Sequence, residues 1–225
     1  ENVAKERGII GQEIGMMDDT PGWQAMVGLY EGLYREHPVR VSIAGSVESI
    51  AEITPETLYT CHRAFYSPKN MALVVCGTAD FDEVCRMAAQ FSPQDAPEIG
   101  ERHYGTRREA VNELLVTRKM QVSQPQFLIG FKDDPVQPGE SRLRRSLLGE
   151  LAVRILCGDT APLYADLYEK RLIGRDFDSD YSLIPEGASA MLGGESRDPE
   201  AVRAAVEKAV ARLAHEGVAP ALFGR

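Results

Sequence analysis

Two glutamates near the start of the chain, Glu6 and Glu13, are the residues whose type and spacing best suit chemistry. They are seven positions apart, which on an α-helix is about 20° short of two full turns, so both carboxylates would lie on one face. A carboxylate oxygen can coordinate zinc, and a second acid behind the ligand can orient it or tune its charge. Acid pairs of this spacing also occur as solvated surface charge, so the spacing alone leaves both interpretations open.

The histidines and cysteines form no recognisable metal motif. No two histidines share a helical ligand spacing, and the cysteines lack the C-x-x-C spacing of zinc clusters. We expect three of the four cysteines to be small buried hydrophobic residues, and a reducing, cytoplasmic compartment. The residues in question are His37, His62, His103 and His215, with Cys61, Cys76, Cys85 and Cys157.

Composition excludes several classes of function. The chain has 225 residues, of which 44% are hydrophobic and 26% are charged, as in a globular protein. A net charge of −9, without any basic run, argues against nucleic acid or an anionic membrane as a partner. No apolar stretch is long enough to span a bilayer. Because the chain opens inside a helix-like pattern at Glu1, we expect it to be a piece of a longer protein.

Hydrophobic periodicity predicts two units that each mix helices with strands. In the first we expect helices over 3–17, 23–35, 55–66 and 80–91, and a strand over 70–77. In the second we expect strands over 114–122 and 126–131, helices over 139–156, 161–172 and 199–215, and a hairpin of 175–183 with 188–193.

The order of these elements predicts an α+β fold with antiparallel sheets and helices packed on one face. Residues 92–105 are rich in Pro, Asp and Glu and mark the domain boundary. We therefore divide the chain into 1–97 and 98–225. The first unit contains a single convincing strand, which cannot form a sheet alone, so we expect its partner strands upstream.

Arginines and glycines of the second unit also have two interpretations each. Arg142, Arg144, Arg145 and Arg154 lie on one predicted helix and either pair with acids or grip a substrate carboxylate. Gly193 and Gly194 either end a strand or allow a ligand to approach the backbone closely.

An ordered series of short motifs resembles the pitrilysin/insulinase family of zinc metallopeptidases, in its bacterial processing-protease-like branch. The series covers most of the chain, from about residue 1 to 211. Its pieces in the first unit are KERGIIGQEI (5–14), Pro21-Gly22-Trp23, His37-Pro38, residues 44–50, Phe65-Tyr66 and residues 74–77; those in the second are residues 161–164, 167–170, 172–173 and 193–194.

The resemblance implies two related repeats, the first incomplete here, and assigns roles to the two glutamates. Glu13 would be the third zinc ligand. Glu6 would not bind zinc itself but would tune the site by hydrogen bonding or by its charge. The family's His-x-x-Glu-His motif, which supplies two zinc-binding histidines and the general-base glutamate, is absent from these residues. We therefore expect no catalytic residue and no zinc in this chain alone, and expect that motif upstream of Glu1.

The function that the resemblance implies is that of a zinc-dependent endopeptidase hydrolysing peptides or small unfolded proteins, with this chain inactive by itself. The alternative is a non-catalytic subunit that completes a chamber or binds peptide, as a homo- or hetero-dimer with a related peptidase subunit. Retention of both Glu6 and Glu13 argues against the alternative. An unrelated binding domain is a third interpretation, and it predicts that residues 1–97 fold independently.

Overall fold

The computed structural model describes residues 2–90, 100–105, 110–136 and 139–218. Within these ranges no helix has the length and apolar character needed to cross a membrane. The elements are α1 (Asn2–Asp18), α2 (Pro21–Leu33), α3 (Val47–Ala51), α4 (Pro55–Phe65), α5 (Phe81–Gln90), β1 (Gln126–Asp133), α6 (Glu140–Cys157), α7 (Pro162–Glu169), β2 (Asp178–Ile184), β3 (Gly187–Glu195) and α8 (Pro199–Glu216), with 3-10 turns at Pro38–Arg40 and Pro68–Asn70.

Local sequence signals set the starts of the helices. Thr54 caps α4, whose first residue is Pro55, as that pair of residue types favours. Asp80 accepts a hydrogen bond from the backbone N–H of Glu83 at 2.8 Å, and so caps α5. Asp198 caps α8 in the same way. The four helices predicted in the first part of the chain and the three in the second are therefore confirmed, with ends shifted by a few residues.

Residue contacts divide the chain into two compact units. Unit 1 comprises residues 1–12 and 46–103, and unit 2 comprises residues 13–45 and 104–225. By their contacts, residues 13–45 belong to unit 2. These contacts do not show where the two predicted repeats meet. The division into 1–97 and 98–225 stays a prediction.

The sheet of unit 2 is antiparallel, with strand order β1-β3-β2. β3 is central and pairs with both neighbours, so that Leu192 lies opposite Ile129 on one side and Ser179 on the other. β2 and β3 form the predicted hairpin, whose turn consists of Pro185 and Glu186. Glu186 adopts a positive φ of 54°, the left-handed conformation that lets so short a turn reverse the chain.

The two faces of this sheet are covered by different helices. Alternate residues of β1, including Phe127 and Ile129, pack into a core formed with α6, α7 and α8, in which Val202 and Val206 are fully buried. On the opposite face Gly130 lies against α2, where an added Cβ would meet Leu29 Cδ1 at 2.7 Å. The prediction of an α+β fold with an antiparallel sheet is confirmed, and α2 adds a helix on the second face.

The predicted strand over 114–122 is wrong: those residues are not assigned to any strand. The segment contacts α2 instead. The carbonyl of Gly32, near the C-terminal end of α2, accepts hydrogen bonds from the N–H groups of Asn112 and Glu113 at 2.8 and 3.0 Å. Val116 packs onto α2 at Gly28, and Leu114 is 96% exposed. The apolar run is therefore an extended segment along a helix, held by side chains and by the helix end.

In unit 1 the predicted strand over 70–77 is also wrong, since residues 71–76 have no strand assignment. A strand needs a partner to form a ladder, and none exists among the described residues of this unit. Val74 is accordingly 80% exposed, and α4 and α5 have no buried residue. This corrects the expectation for the cysteines: Cys61, Cys76 and Cys85 are exposed, and Cys157 of unit 2 is the buried one.

The packing of α6 on β2 gives a testable prediction. An added Cβ at Gly149 would collide with the ring of Tyr181, which is buried with 8% of its surface exposed. We expect Gly149→Ala to lower the free energy of unfolding by about 1–3 kcal/mol, as overpacking does in other cores, although alanine favours a helix.

The matched control is Gly15→Ala in α1, where an added Cβ meets nothing within 4 Å. We expect that variant to be neutral or stabilised by up to about 1 kcal/mol. Urea unfolding at equal protein concentration measures both. Equal midpoints for the two variants would contradict the packing described for Gly149.

Candidate functional site

Glu6 and Glu13 both lie on α1, and both are exposed. Seven residues of helix place them about 10 Å apart along the axis and on one face. Neither carboxylate makes a hydrogen bond or ion pair with a described residue. The neighbouring Arg7 donates to the carbonyl of Ile53 rather than to Glu6. Both glutamates are therefore available to bind something outside the described residues.

The described residues do not form a zinc site by themselves. No group of three or more His, Cys, Asp or Glu side chains within the described ranges is arranged to hold a metal ion. Zinc needs three or four protein ligands at one place. The Glu13 carboxylate fits the role of a single ligand, because it is exposed and unpaired, and the remaining donors would have to come from other residues. Its assignment as a ligand, and that of Glu6 as the acid behind it, stay predictions.

His37 has a structural role. Its Nδ1 accepts a hydrogen bond from Val39 N–H at 3.0 Å, so the proton lies on Nε2, which donates to the Pro185 carbonyl at 2.7 Å. The ring also stacks on Tyr104, with 5.5 Å between centroids. Both ring nitrogens are thus occupied: Nδ1 caps the 3-10 turn at Pro38–Arg40, and Nε2 binds the β2–β3 turn. His62 stacks on Tyr66, and no described contact joins it to Cys61.

A polar cluster at the end of β1 joins three elements of unit 2. Asp133 accepts a hydrogen bond from the hydroxyl of Tyr181 at 2.7 Å and from Nη2 of Arg145 at 2.8 Å. The backbone N–H of Asp134 donates to the same carboxylate at 2.7 Å. The cluster therefore ties β1 to β2 and to α6 through one carboxylate.

These contacts shift the pKa values in opposite directions. Burial opposes ionisation of Asp133, but the hydrogen bonds from Tyr181, Asp134 and Arg145 outweigh it and hold the pKa of the carboxyl below its ordinary value. Burial, together with the hydrogen bond to Asp133, raises the pKa of Tyr181 to about 12. At neutral pH the carboxylate is charged and the phenol is protonated, which is the pairing that the geometry requires.

An open groove of about 560 Å³ lies between α6 and the outer edge of β2. Arg142 reaches across it and donates to the carbonyls of Leu183 at 3.1 Å and of Val136 at 3.5 Å. The groove is lined by Gly139, Arg142, Leu143 and Ser146 of the helix side and by residues 180–183 of the strand. A ligand in this groove could meet both backbone and charged groups.

These contacts answer the question for two of the four arginines and for the two glycines. Arg145 pairs with an acid, Asp133, and Arg142 binds backbone carbonyls, so neither guanidinium is held ready for a substrate carboxylate. Gly193 and Gly194 lie within β3, where an added Cβ at Gly193 would meet the Phe127 carbonyl. Their role is close strand packing.

Sequence reasoning missed both the Asp133 cluster and the groove. The sequence predicts that Arg145 lies on a helix. Its partner, Asp133, is twelve residues away at the end of a strand, so helical spacing cannot identify the pair. The groove depends on which backbone groups of β2 face outward. The turn length would have predicted that alternation, because a hairpin turn fixes the register of its strands.

Comparison with protein families matches residues 52–225 to the peptidase M16 inactive domain. Among curated relatives, an uncharacterized zinc protease, YmfH of Bacillus subtilis (strain 168), is 38% identical over 205 residues, covering 89% of this chain and 48% of the relative. An uncharacterized zinc protease of Mycobacterium leprae (strain TN), ML0855, is 24% identical over 233 residues, covering 98% of this chain and 50% of the relative.

Among solved structures, the putative M16-like peptidase from Alicyclobacillus acidocaldarius superposes with a TM-score of 0.85 and 31% identity, covering 100% of this chain and 54% of that one. The chain thus spans about half the length of the relatives it matches. The fold of the described residues is that of a known peptidase family.

The Asp133 cluster predicts a pH-dependent stability. Unfolded tyrosine ionises near pH 10, whereas folded Tyr181 ionises at about 12. Its contribution is therefore complete below pH 10 and is lost as the pH rises to about 12. We expect Tyr181→Phe to lower the free energy of unfolding by about 1–2 kcal/mol at pH 7, since it removes a hydrogen bond to a charged group.

The difference between wild type and Tyr181→Phe should stay constant from pH 6 to 9 and shrink between about pH 10 and 12, as measured by urea unfolding. Tyr59→Phe is the control, because Tyr59 is 67% exposed and lies in unit 1. If the two variants behaved alike at all pH values, the described role of the Tyr181 hydroxyl would be wrong.

Proposed function

Because the chain belongs to the peptidase M16 family, the pitrilysin/insulinase family, we propose that it is part of a zinc-dependent endopeptidase that hydrolyses peptides or small unfolded proteins. The observation that carries this proposal is the 38% identity over 205 residues to a protein named as a zinc protease. The finer placement in a processing-protease-like branch rests on the motif order alone.

In this proposal the zinc belongs to the intact protein and not to this chain alone. The sequence contains no His-x-x-Glu-His, and the described residues contain no cluster able to hold a metal. The two zinc-binding histidines and the general-base glutamate would be supplied by residues outside this chain. When bound, zinc would supply Lewis acidity to the reaction.

The part of this chain in that centre is one carboxylate and its neighbour. Glu13 would coordinate the metal from the exposed face of α1, and Glu6, two turns earlier on the same helix, would tune the site by charge or hydrogen bonding. The exposure of both side chains supports this, since a carboxylate already paired within the chain would have to break that pairing first.

A second candidate is a non-catalytic subunit that binds peptide or completes a chamber, paired with a related catalytic subunit. The match of residues 52–225 to a domain described as inactive fits this candidate as well as the first. The two candidates differ in the residues outside this chain, because only the peptidase needs the metal motif there. We place either protein in the cytoplasm, in keeping with four unpaired cysteines.

The peptidase proposal predicts the metal content of the longer protein. We expect Glu13→Gln to abolish stoichiometric zinc, because an amide oxygen is a far weaker zinc ligand than a carboxylate. We expect Glu6→Gln to keep zinc with about 10- to 100-fold lower affinity, as for other residues behind a ligand. Metal analysis after dialysis and a competitive chelator titration measure the two effects.

Glu56→Gln, which changes an exposed acid at the start of α4, is the control and should bind zinc like wild type. Normal zinc content in the Glu13 variant would remove Glu13 from the site. A longer protein that binds no zinc at all, while still binding peptide, would favour the non-catalytic subunit.

A further inference from the structure

Helix α6 carries apolar residues on two faces, an inner one and an outer one. The inner face packs on the sheet through residues such as Val153, which is 7% exposed, and Gly149, which lies against the ring of Tyr181. The outer face carries four leucines that are 48–62% exposed: Leu143, Leu147, Leu148 and Leu151. Since the outer face of a surface helix is normally polar, a continuous leucine surface indicates that something binds there.

Three of these leucines belong to a line of seven residues along α6, which we call the outer stripe. With 3.6 residues per turn, all seven lie within about 60° of Leu147 around the helix axis, whereas Val153 and Gly149 are about 120° or more away. All seven are exposed, and together they extend for about 21 Å along the helix. The outer stripe consists of Glu140, Leu143, Arg144, Leu147, Glu150, Leu151 and Arg154.

The charged side chains of the outer stripe are largely unpaired within the chain. Those of Glu140, Arg144 and Arg154 make no hydrogen bond or ion pair with a described residue. The carboxylate of Glu150 accepts a hydrogen bond from the Ser146 hydroxyl at 3.0 Å, which leaves it further acceptor sites. The stripe therefore offers charges of both signs, at fixed positions around its leucines, to a partner.

The outer stripe is complementary to itself when it is read in the opposite direction. Residues at equal distances from Leu147 on its two sides are either both leucine or one acid and one arginine. These pairs are Arg144 with Glu150, Leu143 with Leu151, and Glu140 with Arg154.

This self-complementarity fits a particular arrangement of two α6 helices. If a twofold axis passes through Leu147 and the helices are antiparallel, residues at equal distances from Leu147 face one another across the contact. Leucine then meets leucine, and each acid meets an arginine. A parallel arrangement would place each charge against its own copy, which is repulsive.

We propose that the outer stripe of α6 is an interface between two copies of this chain, packed antiparallel about a twofold axis at Leu147. The leucines form its apolar centre, and the Arg144–Glu150 and Glu140–Arg154 pairs form its charged flanks. One pair of helix faces is smaller than a standard interface, so we expect a dissociation constant of about 1–100 μM. The inference goes beyond the proposed function and applies to either candidate, because association of identical chains needs neither zinc nor peptide.

The first test is sedimentation velocity of the 225-residue chain from about 1 to 300 μM. Wild type should pass from monomer to dimer over this range. Leu147→Glu should weaken association at least about tenfold, because it places two carboxylates together on the axis. Since Leu147 is 56% exposed, the variant should keep the urea midpoint of wild-type monomer.

The matched control is Leu58→Glu, which changes a 48% exposed leucine on α4 of unit 1. This variant should dimerise like wild type. The proposal is wrong if wild type stays monomeric, if the Leu147 variant dimerises normally, or if the Leu58 variant alone loses the dimer.

Charge reversal tests the antiparallel register. Arg144→Glu and Glu150→Arg, made singly, each place like charges in both copies of one pair and should weaken the dimer about three- to tenfold. The double variant restores opposite charges and should associate within about twofold of wild type. Because residues six positions apart on one helix are not neighbours, this rescue reports a contact between chains. A double variant as weak as the single ones would exclude this register.

The longer protein distinguishes a second copy from another occupant of the outer stripe. Its association should also depend on Leu147. If the longer protein is monomeric, or associates equally well with Leu147→Glu, other residues of the same protein cover the stripe and the proposal fails. Zinc content tests Glu13 independently, so either proposal can fail while the other stands.

Discussion

The burial of β3 on both edges and both faces is the constraint on which unit 2 depends. β3 pairs with β1 and β2, and helices cover the sheet on each side. Ala188 is fully buried and Leu192 is 2% exposed. Leu192 packs into the core, whereas at the next two positions, Gly193 and Gly194, an added Cβ would meet neighbouring backbone, so glycine is required there.

Because β3 is central, β2 lies at the edge of the sheet that the described residues form. Charged side chains bind some of its outward backbone groups. Asp178 satisfies one outward amide and Arg142 one outward carbonyl. The Asp133 cluster ties β2 to β1 and α6 through one carboxylate.

Sequence patterns predicted the elements whose stability is local or amphipathic. The helices that begin at Pro55 and Pro199 follow from a capping residue and a proline, and the hairpin follows from alternating residues around Pro185. The apolar runs at 70–77 and 114–122 were misassigned because a strand depends on a partner that the run itself does not specify. The groove and the partner of Arg145 arise from contacts between distant segments, which periodicity cannot reveal.

In the proposed peptidase, Glu13 would connect this chain to the zinc chemistry: it is exposed, has no partner among the described residues, and lies where the resemblance of KERGIIGQEI to the family places a zinc ligand. The most direct test is a crystal structure of the longer protein grown with zinc, with anomalous data collected at the zinc edge. The account predicts a zinc ion at about 2.0–2.2 Å from a carboxylate oxygen of Glu13. A zinc ion bound without any contact to Glu13 would contradict it.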